Sequence, residues 1–412
     1  MRHAPAILIG RTVRTLARIR KPGGGSAIPG LVVNRIAPGF LFSVLNTLEH
    51  GVVIVSGSSG KSTTTKMLVA VLREHGRRVF TNDSTANISQ GLTSSVLERV
   101  DLRGRLSDSM AVLELDEAHG AAMVSRLVPR TVVLTNVMTD QIDRFQDSAQ
   151  VADLLARIAS RATESLVYNA DDAFLAEIAA GSAVTTVGFG VNPEVRASLR
   201  RGLGYASEVA HRDPVDAEVT ALAGLDVTVT VAKDSATLRL PARGAHYAVD
   251  AAAAIAAAAA LLGPEFDARR AAAAISAIEP VFARGEITEV RGKPVEFVLV
   301  QNPGSFQLNV DELDPALDQV FIAVGSDVRD PSYLWSADLT AMPPVLIASG
   351  SKAHELALQL LYNGVAVDEI DPDLPAAIDR FLALPSPRHG LKTVIFTADS
   401  MRRVRGHLGL AQ

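Results

Sequence analysis

Apolar and polar positions along the chain form two long alternating blocks. From Val52 onward, the runs Val52–Val55, Arg78–Phe80, Met110–Leu115, Thr131–Leu134 and Ser165–Tyr168 read as strands, with helical stretches between them. Short continuous apolar runs separated by helices predict a parallel sheet with crossover connections. Between about 185 and 240 the pattern changes. Ala183–Phe189, Asp226–Val231 and Ala236–Leu240 read as shorter strands suited to antiparallel pairing, and Gly190–Asp216 reads as irregular. Val249–Leu262 then predicts a helix made mostly of alanine, a strong helix former small enough to pack closely. A second block starts near Arg284. Its strands are Val295–Val300, Gln319–Val324, Pro344–Ala348 and Lys392–Phe396, with helices at Ala353–Tyr362 and Ala376–Ala383. The expected fold is α/β. A basic segment at 1–48 precedes a first domain with a parallel sheet at 49–280 and a smaller, Rossmann-like α/β domain at 281–412.

Composition narrows this little. The 412 residues are 48% hydrophobic and 21% charged, as in globular proteins with large cores. The net charge of −5 gives no support for nucleic-acid binding. The chain has no cysteine, which removes disulfides, thiolate zinc sites and a cysteine nucleophile, and fits a cytoplasmic protein. No apolar run reads as a membrane span, the alanine-rich stretch near residue 255 being too short and too weakly apolar. The first 48 residues stand apart. They carry Arg2, Arg11, Arg14, Arg18, Arg20, Lys21 and Arg35 and no acid. They read either as a solvated basic helix or as a surface that favours anionic lipid or a phosphorylated substrate, the latter consistent with a peripheral position at the inner face of a membrane.

The candidate chemistry centres on Val52–Thr65. An apolar strand leads into Gly57-Ser58-Ser59-Gly60, then Lys61-Ser62-Thr63 and a helix. The glycines let backbone N–H groups turn toward phosphates. Lys61 reaches the β/γ-phosphates, the Ser62 hydroxyl holds Mg²⁺, and the helix directs its positive end at the same anion. This is a short form, with Gly57 three residues before Gly60. The strand Met110–Leu115 ends in Glu114, Asp116 and Glu117, of which Glu114 is the leading Mg²⁺ residue. Two more strands end in polar clusters: Asn136 with Asp140-Gln141-Ile142-Asp143-Arg144, and Asn169-Ala170-Asp171-Asp172. Ligands bind at the strand C-termini of open α/β sheets. Nucleotide is therefore expected at Gly57, Gly60, Lys61, Ser62, Thr63, Asn136, Asn169 and Asp171, with Mg²⁺ at Ser62 and Glu114.

These residues together resemble the ATP-binding central domain of the Mur ligase family. Gln141 is telling, because most Mur ligases have His there, whereas the MurT branch, the ligase subunits of lipid II isoglutaminyl synthase, has Asp-Gln-Leu-Asp-Arg. Leu299–Gln307, Asp330-Pro331-Ser332-Tyr333-Leu334-Trp335-Ser336, Ser349-Gly350, Tyr362-Asn363-Gly364-Val365 and Phe396-Thr397-Ala398-Asp399 are also similar to that branch. The resemblance covers about residues 28–410 and leaves out the UDP-binding domain of full-length Mur ligases. It implies phosphorylation of a carboxylate by ATP and attack of an amine on the acyl phosphate. In the MurT branch the carboxylate is the α-carboxylate of D-glutamate in the lipid II stem peptide. The partner is GatD, a glutamine amidotransferase that releases ammonia, and an Asp of the ligase subunit completes its triad. Asp330 matches that Asp and is, with Glu114, the expected catalytic residue. Alone, Asp330 reads as the start of a turn before Pro331.

The chain also departs from the pattern. The zinc ribbon of the branch, placed near 190–225, has no cysteines here, so no zinc is expected. Where the family has Gly-x-x-Asn-x-x-Asn, this chain has Gly244-Ala245-His246-Tyr247-Ala248-Val249-Asp250. Gln301 replaces a Lys and Ser336 an Asp. No lysine lies between Lys66 and Lys233, so the carbamylated lysine of many Mur ligases has no counterpart there. These changes leave two alternatives to the amidating ligase: a weakly nucleotide-binding, non-catalytic partner protein, or a Mur-like amino-acid ligase with another substrate.

Overall fold

The computed structural model describes residues 3–20, 27–82, 88–138, 147–199, 202–209, 214–279, 284–300, 303–328 and 337–410. Its first sheet contains β1 (Val52–Ser56), β2 (Val79–Thr81), β3 (Met110–Glu114), β4 (Thr131–Leu134), β5 (Ser165–Asn169), β6 (Thr185–Val191), β7 (Ala217–Ala223), β8 (Asp226–Val231) and β9 (Asp234–Arg239), in the order β2-β3-β1-β4-β5-β6-β7-β8-β9. Every residue of β1, β3 and β4 is buried, which is why those strands are continuous apolar runs in the sequence. The second sheet contains β10 (Arg284–Val290), β11 (Lys293–Leu299), β12 (Val320–Ala323), β13 (Val345–Ser349), β14 (Val367–Asp371) and β15 (Lys392–Phe396), in the order β10-β11-β15-β12-β13-β14. Only β10 is antiparallel to its neighbour in this sheet.

Two expectations from the sequence are corrected. The strand expected at Ala183–Phe189 is β6, and it pairs in parallel with both β5 and β7; antiparallel pairing begins only between β7 and β8. Strand β7 itself, Ala-Glu-Val-Thr-Ala-Leu-Ala, gave no strand signal because alanine dilutes its alternation. The helix Ala245–Leu262 is also longer than expected. Extended to Glu265, it is long and apolar enough to cross a membrane by length and composition. It is instead a core helix, with 78% of its apolar window buried, against the underside of the sheet and the helix that follows β1.

Before β1 lie three helices, α1 (Ala4–Arg20), α2 (Ile28–Ile36) and α3 (Phe40–Leu45); α4 (Lys61–Glu74) follows β1, and α5 (Ser89–Arg99) precedes β3. Both α1 and α2 lie against α5. The crossing of α2 over α5 is close enough that a Cβ on Gly30 would sit 1.8 Å from the Gln90 carbonyl oxygen. The Gly30 N–H donates to Ser94 Oγ at 2.8 Å across the same contact. Backbone on backbone cannot yield as a flexible side chain can. Gly30→Ala is therefore expected to lower stability by about 1–3 kcal/mol or more, as overpacking does, measured by urea unfolding; an unchanged midpoint would show that α2 shifts freely on α5.

Candidate active site

The residues that sequence placed at a phosphate site converge at the C-terminal ends of β1, β3, β4 and β5. Strand β1 lies between β3 and β4, with Val55 in register with Glu114 and Ser56 with Leu134. The chain leaves β1 through Gly57 at φ 137° and enters α4 from Gly60 at φ 79°. A Cβ on Gly57 would lie 2.2 Å from Thr135 Oγ1, and one on Gly60 would lie 2.1 Å from Asp250 Oδ1. Glycine is thus required twice over, by backbone conformation and by space. The first N–H groups of α4 have no intrahelical acceptor, the arrangement that a helix N-terminus offers to an anion.

Lys61 curls over this loop. Its Nζ donates to the Gly57 carbonyl oxygen and to that of Ser58 (3.2 Å), and pairs with Glu117 Oε1 at 2.8 Å. The Glu117 side chain is 1% exposed, and its Oε2 is without a hydrogen-bond partner among the described residues. Glu117 opens the short helix Glu117–Met123, which Asp116 caps by accepting from the His119 N–H. Glu114, one turn of chain earlier, is buried at the end of β3. Asn82 grips its backbone on both sides, accepting from the Glu114 N–H at 3.1 Å and donating to its carbonyl at 3.0 Å. Of the three acids expected here, Glu117 holds Lys61. Ser62 is half-buried at the second position of α4, and Thr63 is buried behind it.

The end of β4 shapes the loop from the other side. The Ser58 N–H donates to the Asn136 carbonyl and the Ser59 N–H to Asn136 Oδ1, both at 2.9 Å, while Asn136 Nδ2 donates to the Ser59 carbonyl at 3.2 Å. Thr135 Oγ1 donates to the Ser59 carbonyl at 2.6 Å, and the Met138 N–H donates to Ser58 Oγ at 3.2 Å. Sequence reasoning missed Thr135; a hydroxyl beside Asn136 at a strand end was the available signal.

A second layer supports β4. Asn169 and Asp171, expected to touch nucleotide, are fully buried and spend their polar atoms inside the protein. Asn169 Nδ2 donates to the Thr135 carbonyl (3.0 Å) and to Tyr205 Oη (2.8 Å). Asp171 Oδ2 accepts from the Val191 N–H at 2.8 Å, and its Oδ1 lies 3.7 Å from Arg196 Nη1. Asp172 Oδ2 accepts from the Val137 N–H at 2.6 Å, and its Oδ1 accepts from Phe174 and Leu175, capping the next helix. Burial raises the Asp172 carboxyl to about 6 against the pull of those three N–H groups. Burial and the neighbouring carboxylates of Asp171, Asp172 and Asp250 push the Tyr205 hydroxyl well above its ordinary value.

The segment read as irregular proves ordered where it is described. Pro193–Ser198 is helical, and residues 202–209 run between the ends of β4 and β5, with the Ala206 N–H on the Val137 carbonyl and the Val209 N–H on that of Asp171. Arg196 pairs with Glu208 at 2.7 Å, which also accepts from the Leu203 N–H. His211, Asp140–Arg144, Gln301, Asp330, Tyr333, Trp335 and Ser336 lie outside the described residues. The chain leading to Asp330 leaves β12 through Gly325 and Ser326. There Thr397 Oγ1 accepts from the Gly325 N–H and donates to Asp327 Oδ1, and Asp399 Oδ2 accepts from Ser326. Asp250 packs directly on Gly60, while Tyr247 is buried one turn earlier on the same helix.

Residues 55–258 match the Mur ligase middle domain. The chain is similar to the MurT subunit of the glutamine-hydrolysing lipid II isoglutaminyl synthase of Streptococcus pneumoniae, 26% identical over 392 residues that span 84% of each chain. Among solved structures, MurF from Acinetobacter baumannii shares the fold with a TM-score of 0.69 at 17% identity, over 92% of this chain and 80% of that one. Folylpolyglutamate synthase of Mycobacterium tuberculosis, complexed with ADP and AMPPCP, does so with a TM-score of 0.64 at 16% identity, over 98% and 99%. The fold is accordingly Mur-ligase-like α/β.

The Asp172 carboxyl gives this site a pH signature. Held at about 6 in the fold against 3.8 in its ordinary state, it keeps its proton more tightly folded than unfolded. Ionisation across that window therefore removes stability as pH rises, by about 3 kcal/mol at most. In urea unfolding at about pH 4 and about pH 7.5, wild type should lose stability relative to Asp172→Asn as pH rises. Parallel changes in the two proteins would refute the assignment.

Proposed function

We propose that this chain, similar to MurT along most of both lengths, is the ATP-dependent ligase subunit of a lipid II amidating enzyme. On this reading it activates the α-carboxylate of D-glutamate in the lipid II stem peptide, and a GatD-like glutaminase supplies the ammonia. The observation that carries the ATP half is the glycine loop closed on α4, with Lys61 folded over its mouth and held by Glu117. The residues fit a nucleoside triphosphate. Gly57 and Gly60 give the loop its left-handed turns in close contact with Thr135 and Asp250, and Lys61 can exchange two carbonyls for phosphate oxygens.

Bound ATP with Mg²⁺ would supply the phosphoryl group that makes the carboxylate reactive. The remaining work belongs to the chain. Lys61 and the first amides of α4 would hold and orient phosphate; Ser62 and Glu114 would carry the cation, with Thr63 behind them. Asn136 fixes the loop, while Asn169 and Asp171 fix β4 and its neighbours. Glu117 stores the Lys61 ammonium in a low-dielectric position until an anion competes for it. Asp330 serves the glutaminase across the interface by orienting its catalytic histidine.

One observation favours a second reading. The Asp250 carboxylate against Gly60 adds negative charge beside an anion site. A chain in which this dominates keeps the fold and the partner but binds nucleotide weakly.

Isothermal calorimetry separates the two. Wild type should bind ATP with Mg²⁺, and Lys61→Ala should abolish binding; equal affinities would sink the ATP assignment, and a wild type that binds none would favour the second reading. For the partner half, the assay is ammonia release from the chain co-purified with a GatD-like glutaminase. Asp330→Asn is expected to cut glutamine hydrolysis by roughly 10²–10⁴-fold, since an orienting carboxylate sets tautomer and position. Assembly on gel filtration should survive the change. Full hydrolysis in the variant would reduce Asp330 to a turn residue.

A further inference from the structure

The outer face of the α1–α2 pair is apolar where a surface helix is ordinarily polar. Leu8, Ile9 and Leu16 on α1, and Ile28, Leu31 and Ile36 on α2, are 45 to 61% exposed. The inward positions are satisfied separately. Ala6, Ile7 and Val33 are buried, and Gly10 lets Val33 and Leu97 approach so closely that a Cβ there would meet them at 2.7 and 2.9 Å. Because both helices lie against α5, their outward stripes face away from the core together. On α2 the stripe runs Ile28, Leu31, Arg35, the i, i+3, i+7 spacing of one helix face, and Arg35 is exposed. An exposed apolar patch of this kind marks a contact surface.

Charge selects what it contacts. The first 48 residues contain seven basic side chains and no acid, in a chain whose net charge is −5. Arg11 and Arg14 are turned inward to α5, on the Leu97 and Val100 carbonyls and on Glu98. Arg35, by contrast, is exposed on the α2 stripe. Exposed aliphatic side chains in a segment rich in basic residues and free of acids, with Arg35 beside them, match the boundary between acyl chains and phosphate headgroups. We infer that the α1–α2 face is a docking surface for an anionic lipid bilayer, with Leu8, Leu16, Ile28 and Leu31 seated in the interface and Arg35 on headgroup phosphate. The inference stands on this surface alone and does not depend on the ligase reading.

Vesicle co-sedimentation of the full chain tests it. Vesicles of phosphatidylglycerol should retain the protein and vesicles of phosphatidylcholine should not, with retention falling as salt rises. Leu16→Asp combined with Leu31→Asp should weaken partitioning by roughly tenfold or more. Arg35→Glu, a surface change that disturbs no core residue, should weaken it in the same direction should the double variant fold poorly. Circular dichroism and ATP affinity monitor the fold and the nucleotide site independently. Failure of wild type to bind phosphatidylglycerol, or undiminished binding by folded variants, would overturn the proposal. So would a wild-type dimer on gel filtration that becomes monomeric in the double variant without any vesicle binding, since a second copy would then cover the face.

Discussion

The end of β4 holds the loop after β1, and the geometry of the whole site follows from that contact. A glycine-rich turn has many conformations in solution, and fixing each of its residues costs about 1–2 kcal/mol. Here Asn136 receives two consecutive loop N–H groups, returns a hydrogen bond to the loop, and sits beside Thr135, whose hydroxyl closes on Ser59. With the loop fixed, the end of α4 is aimed, Lys61 is within reach of Glu117, and Gly60 lies against Asp250. Asn169 and Asp172 act at one remove, by fixing Thr135 and Val137. The β4 side of the site is thus built in layers, with Asn136, Asn169 and Asp172 each hydrogen-bonded to the backbone in front of it.

How much of this could be read from residues alone depended on the kind of signal. Strands with buried faces on both sides announce themselves as short apolar runs, so β1, β3, β4 and β5 were visible, and with them the place of the site at their C-terminal ends. Strand β7 was not, because alanine carries no β preference. The loop was legible because its glycines are demanded by backbone conformation, a local property. The roles of Asn169 and Asp171 were not, because identity at a strand end says that a residue is polar but not which way it faces. Tyr205 and the Arg196–Glu208 pair were hidden in a stretch without periodicity, ordered by contacts distant in sequence.

The departures from the family pattern fall unevenly on the structure. The missing thiolates fall in a segment that, where described, is sewn to β4 and β5 by backbone hydrogen bonds and by Arg196 bridging Glu208 and Asp171. Asp250 instead stands against the loop itself, at Gly60. Two changes that look equally large in the sequence therefore fall in different places, one in a segment joined to β4 and β5 and the other on the glycine loop.

The alanine helix behind the sheet has a consequence of its own. Fourteen of its eighteen residues are buried, most of them methyl groups against α4 and the central strands. Such an interface sets the helix at the shortest distance a side chain allows, and holds the sheet and α4 above it at a fixed height. It also has almost no volume left to give away. Leucine and phenylalanine cores can drift through smaller and larger neighbours over evolutionary time, one loss matched by one gain. Here nearly every available change is an enlargement, so drift runs in one direction only and is stopped at once. The plainest stretch of the sequence is in this sense the least free to vary.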